Sequence, residues 1–84
     1  MVMWLRRGEG AALRLGVVAS RKVGGAVTRN RAKRRLRAAY RLNRHRFKRN
    51  GDVILIARGG LATAPWNEVV ADLLSLARRA GIGP

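Results

Sequence analysis

Between Arg29 and Arg37 the chain reads Arg29-Asn30-Arg31-Ala32-Lys33-Arg34-Arg35-Leu36-Arg37, six cations in nine positions. The chemistry such a run can perform is phosphate binding. A guanidinium is planar, always charged, and presents a fork of N–H donors that engages a phosphate through two parallel hydrogen bonds; it also stacks on nucleobases. The chain favours that group, with sixteen Arg against three Lys. Charge runs are usually solvated helix faces, but folding alone accounts poorly for this one. Arg29/Lys33, Arg31/Arg35, Lys33/Arg37 and Arg37/Arg41 are like-charged pairs four apart, and no acid lies between Glu9 and Asp52. Each such pair destabilises a helix by roughly 0.2–0.5 kcal/mol. A polyanionic partner relieves that repulsion.

Other chemistries lack their residues. There is no cysteine, which removes disulfides, thiolate metal clusters and thiol nucleophiles. The one histidine, His45, lies between Arg44 and Arg46 and reads as a solvated helix-end residue. The carboxylates Glu9, Asp52, Glu68 and Asp72 are scattered, with no pair spaced as an acid–base or two-metal site. Asp52 suits a turn and Glu68 the positive end of a helix. Ser20 has no base near it in sequence, and no glycine-rich segment ends in Gly-Lys-Ser/Thr. No catalytic residue and no metal ligand is assigned.

The cations need a scaffold. Eighty-four residues suffice for one domain, and 48% hydrophobic content is too high for a disordered basic tail. The net charge of +15 is uneven: eleven of nineteen cations fall within Arg29–Arg49. No apolar run approaches the ~18 residues of a membrane span, and no signal peptide is recognisable, so the chain reads as cytoplasmic with no membrane partner.

Val2 to Arg7 predicts a strand, Gly8-Glu9-Gly10 a turn, and Leu13 to Ser20 a second strand, together an antiparallel hairpin. Gly24-Gly25 precedes a helix from about Ala26 to Leu42. At about 100° per residue from Arg29, the residues Ala32, Leu36, Ala39, Tyr40 and Asn43 fall within about 280° to 20°. Lys33, Arg44, Arg37, Asn30, Arg41, Arg34, Arg31 and Arg35 fill the arc from about 40° to 240°, facing solvent, while Arg29 projects on the apolar side. After an Asn50-Gly51-Asp52 turn, the apolar run Val53–Ala57 predicts a central strand covered on both faces. Pro65 predicts the first turn of a closing helix capped by Thr63 or Ala64. Trp66, Val69, Val70, Leu73, Leu76 or Ala77, and Ala80 lie at helical spacing, and Gly81 is the stop.

The ordered pattern Ser20-Arg21-Lys22-Val23-Gly24, Ala26-Val27, Arg29-Asn30-Arg31-x-Lys33-Arg34-x-x-Arg37, then Tyr40-Arg41, the strand Val53–Ala57 with Arg58, and a closing amphipathic helix resembles the bacterial ribonuclease P protein component. The resemblance covers essentially the whole chain, residues 1–84, as a single RNA-binding domain. It implies an α/β (α+β) two-layer sandwich with a small mixed sheet, a left-handed β-α-β crossover and a C-terminal helix; the general rule would give the other hand. It implies a subunit of a ribonucleoprotein endoribonuclease, inactive alone. There the RNA, using bound magnesium, removes the 5′ leader of precursor tRNA, while the protein binds the RNA subunit and the leader. The residues it assigns to RNA are Arg21, Lys22, Arg29, Asn30, Arg31, Lys33, Arg34, Arg37 and Arg41.

Two departures from the family pattern stand out. Ala38 occupies a position where the family carries Glu, so Arg37 lacks that neighbour. The family's N-terminal helix, which walls the leader cleft, has no counterpart here, so either the chain is an N-terminally shortened version or Met1 is not the natural start. One sheet face is therefore expected to be uncovered, lined near Trp4 and by Leu15, Val17 or Ala19. That face would support a homodimer when RNA is absent. Trp4 is read as an uncovered core residue, with a base-stacking platform as the alternative; Trp66 as core or hydrophobic staple; Tyr40 and Phe47 as buried. A small ribosomal-type RNA-binding protein is the alternative function. A helix–turn–helix DNA binder and a membrane-surface helix fit less well, given the strands and the narrow apolar stripe.

Overall fold

In the computed structural model, which describes residues 1–6, 14–47 and 52–83, five elements follow in the order β1 (Val2–Arg6), β2 (Arg14–Val18), α1 (Ala26–Asn43), β3 (Asp52–Ile56) and α2 (Trp66–Arg79). Short 3-10 turns at Arg21–Val23 and Arg44–Arg46 flank α1. The expected turns at Gly8-Glu9-Gly10 and Asn50-Gly51 lie outside the described residues.

β1 and β2 do not form a hairpin. The sheet order is β1-β3-β2, with β3 antiparallel to β1 and parallel to β2. β3 is the most apolar strand, and the centre is where both of its edges find hydrogen-bond partners and one face is fully covered. Parallel pairing with β2 makes β2-α1-β3 a crossover unit. A hydrogen bond from Ala57 N to Val18 O, 2.8 Å, continues the pairing past the strand end.

The strand period of two sorts the sheet into unlike faces. Leu5, Val53 and Leu15 share one row across the sheet, and Met3, Leu55 and Val17 the next; both rows face the helices. Trp4, Ile54 and Gly16 form a row on the other side, flanked by Val2, Ile56 and Val18. That side is open: Trp4 is 63% exposed, Val18 47% and Ile54 38%. The expectation that β3 is covered on both faces is thus corrected to one. Leu15 and Val17 also belong to the helix side, because the register pairs them with Val53 and Leu55, and Ala19 likewise packs against the core, so Gly16 and Val18 line the open face instead.

Both helices pack on the same face. α1 buries Ala32, Leu36, Ala39, Tyr40 and Asn43, the stripe its 3.6-residue period predicts. α2 buries Val69, Leu73 and Ala77. Leu36, Leu55 and Leu73 are wholly enclosed, and cutting one to Ala would cost about 2–5 kcal/mol. Tyr40 and Phe47 close the far end with ring centroids 5.5 Å apart. Asn43 is the one buried amide among the described residues; its Nδ2 donates to Ala39 O at 2.8 Å.

Pro65 is the N-cap of α2 rather than a residue of its first turn, since its ψ of 139° is extended. Gly81 ends the helix at φ 81°, and Ile82 N donates back to Ala77 O at 3.0 Å while its side chain is buried.

Candidate nucleic-acid interface

The outward side of α1 carries the cations because its inward side is committed to the core. Asn30, Arg31, Arg34, Arg37 and Arg41 are exposed; Arg29, on the apolar side in the first turn, and Lys33, beside the buried stripe, are half-buried. Among the described residues none of these cations has a carboxylate partner. Asp52 is instead paired with Arg14, Nε to Oδ1 at 3.1 Å, within β3 rather than shaping a turn. Glu68 lies in the first turn of α2, as expected. Asn30, Lys33, Arg34 and Arg37, together with Val27, line a shallow concavity of about 510 Å³. Such a surface can hold several phosphates of an RNA backbone with unshared guanidiniums.

Arg21 and Lys22 extend this surface. Both are exposed in the 3-10 turn just before α1, and Val23 N closes that turn on Ser20 O at 3.0 Å. Gly24 is the hinge between turn and helix, with φ 145°. A Cβ there would stand 2.9 Å from Thr28 Cγ2. Only glycine lets the turn lie this closely against the first turn of α1. His45 is exposed beside Arg44 and Arg46, in keeping with a solvated helix end.

Two residues depart from expectation. Arg35, placed by angle in the solvated arc, is half-buried: its terminal nitrogens donate to the carbonyls of Leu61 and Ala64. Trp66, expected in the core, is 39% exposed, and the Arg35 guanidinium lies 5.8 Å from its ring centroid. The signal was present but weak. Arg35 sits at about 240°, next to buried Ala39 at about 280°, so it borders the core stripe. Trp66 occupies the first turn of α2, where the helix start lies at the rim of the core. Trp4, read as an uncovered residue, does project from the open face.

Among the described residues no three His, Asp or Glu side chains gather as a metal would require. The Tyr40 phenol is pushed above its usual range by burial, with Arg44 partly opposing the shift.

Comparison with known proteins adds an independent line. Residues 1–81 match the sequence profile of the Ribonuclease P family. The ribonuclease P protein component of Caulobacter vibrioides is 46% identical over 77 residues, covering 86% of this chain and 52% of that protein. The one from Clostridium botulinum (strain Loch Maree) is 36% identical over 83 residues, covering 98% and 75%. The chain thus spans about half the length of some curated relatives and three quarters of others. In three dimensions the RNase P protein from Thermotoga maritima superimposes with a TM-score of 0.82 at 31% identity, covering 92% of this chain and 74% of that one. The Staphylococcus aureus RNase P protein gives 0.80 at 25% identity, covering 98% and 75%. The superposition extends over nearly the whole of this chain, and so takes in the mixed sheet and both helices described above. The chain belongs to the ribonuclease P protein family.

Proposed function

We propose that the chain acts as the protein subunit of ribonuclease P, assisting a catalytic RNA in removing the 5′ leader from precursor tRNA. The observation that carries this reading is the cationic side of α1, without carboxylate partners among the described residues and anchored to the sheet by its opposite stripe. Arg21, Lys22, Arg29, Asn30, Arg31, Lys33, Arg34, Arg37 and Arg41 contact the RNA subunit. The leader lies on the open sheet face. There Trp4 and Ile54 offer apolar surface, Gly16 leaves a notch beside Ile54, and Arg6 stands at one end for a phosphate.

On this reading the RNA would hold the magnesium that supplies the hydrolytic chemistry, and the protein supplies binding alone. The compartment is the cytoplasm, where precursor tRNA is met; no described helix is long and apolar enough to cross a membrane. Without RNA, the open apolar face can pair with a second copy against the repulsion of +15. Light scattering with and without RNA tests that pairing.

The functional test mixes the chain with a bacterial ribonuclease P RNA and precursor tRNA at low magnesium. Leader removal should be faster than with RNA alone and absent with protein alone. No stimulation, or turnover by the RNA-free chain, would overturn the proposal. Trp4→Ser should weaken substrate with a leader but not mature tRNA.

A further inference from the structure

Where α1 meets the start of α2, a concavity of about 470 Å³ is lined by Arg31, Arg34, Arg35, Ala38 and Trp66. Its parts are chemically distinct. Trp66 is 39% exposed and presents part of its indole to the concavity. The Arg35 guanidinium lies over that ring and is bound by two backbone carbonyls, so cation and aromatic are positioned before any ligand arrives. Arg31 and Arg34 are exposed and unpaired among the described residues. Ala38 contributes only a methyl group, leaving the space open and free of negative charge.

Folding does not call for this arrangement. Arg35 is already fastened by the Leu61 and Ala64 carbonyls, and an exposed cation–π contact adds only about 0.5–1 kcal/mol. A large aromatic left in solvent forgoes the stabilisation it would gain in the core. What the site does fit is a nucleotide, with an aromatic surface for the base and two free guanidiniums for phosphate. A duplex keeps its bases stacked on one another, so only an unpaired nucleotide can offer a π-face here.

We infer that this concavity binds one unpaired nucleotide of RNA, its base stacked on Trp66 and its phosphate on Arg31 or Arg34. The inference rests on the RNA-binding reading above and adds to it a single-strand contact separate from the open sheet face.

The test uses the full chain carrying Trp4→Phe, so that indole emission reports Trp66 alone. It is titrated with octauridylate and with an RNA duplex of equal charge. Octauridylate should quench the emission and the duplex should not. Trp66→Leu should weaken octauridylate binding roughly tenfold, as expected for one lost base stack, and leave duplex binding unchanged. Ala38→Glu separates binding from folding. The new carboxylate sits four residues from Arg34 and three from Arg35, which favours the helix. It also places a negative charge where the phosphate would bind. The melting temperature should hold or rise while octauridylate affinity falls. If both RNAs bind with full salt dependence but Trp66 stays silent, or responds equally to duplex, this inference fails and the RNA-binding reading stands. If neither RNA binds, both fail.

Discussion

Arg35 on α1 donates a guanidinium hydrogen bond to the backbone carbonyl of Leu61, 26 residues further along the chain. A second bond to Ala64 O makes the contact a two-point tie between the cationic helix and the loop that leads into α2. One cation of the basic run therefore serves the fold, and its repulsion with Arg31 is offset by two carbonyl dipoles. Arg35→Met should destabilise the domain by about 1.5–3 kcal/mol, the range for hydrogen bonds to charged groups. Arg35→Lys should restore little of it, because a point donor cannot span two carbonyls. Urea unfolding of both variants checks this.

Lys33 and Arg34 stand on the opposite account. Neither has a carboxylate partner among the described residues, so their charge is available to phosphate. Each neutralised phosphate contributes about −0.7 to −0.9 to the slope of log K against log salt. Replacing both by Ala should flatten that slope for ribonuclease P RNA by about one to two units. Filter binding across a salt series reads it, and an unchanged slope would move the contact off α1.

Gly24 holds the Arg21–Lys22 turn against α1. Gly24→Ala forces a Cβ into Thr28 at a φ that side chains rarely adopt. A cost of about 1–3 kcal/mol is expected from the backbone strain. RNA affinity should drop as well, since relief of the clash moves the turn and its two cations. Pairing the variant with Thr28→Ala should recover part of the stability; if it recovers none, the clash is not the cause.

Tyr40 makes a pH prediction with a definite sign. Its hydroxyl is buried with no hydrogen-bond partner among the described residues, and burial raises its pKa above the ordinary value of 10.0. The unfolded chain therefore loses this proton first. The stability contributed by keeping the phenol neutral is fully present below about pH 10 and is lost as pH rises through the folded pKa. It is the only tyrosine, so phenolate absorbance reports it alone. Tyr40→Phe should remove this part of the alkaline decline. It should also be neutral or stabilising near pH 7, because no partner is left unpaired.

The sequence by itself determined α1, its buried stripe and its cationic side. Helical periodicity is a local property: the 100° step places Leu36 and Arg34 on different sides whatever the rest of the chain does. It also determined the stop at Gly81 and, through the ordered motif, the family. The strand order was decided only in three dimensions. Pairing of β3 between β1 and β2 joins residues far apart in the chain, and the choice depends on which strand best fills the centre. That same choice set the open face. Alternation told which residues of each strand share a side, but only the register against Val53 and Leu55 turned Leu15 and Val17 inward and Gly16 and Val18 out. Arg35 and Trp66 were decided last. The helical angle puts Arg35 at the border of the stripe and Arg34 well outside it, but only the loop before α2 brings two carbonyls and an aromatic ring to Arg35 and leaves Arg34 in water.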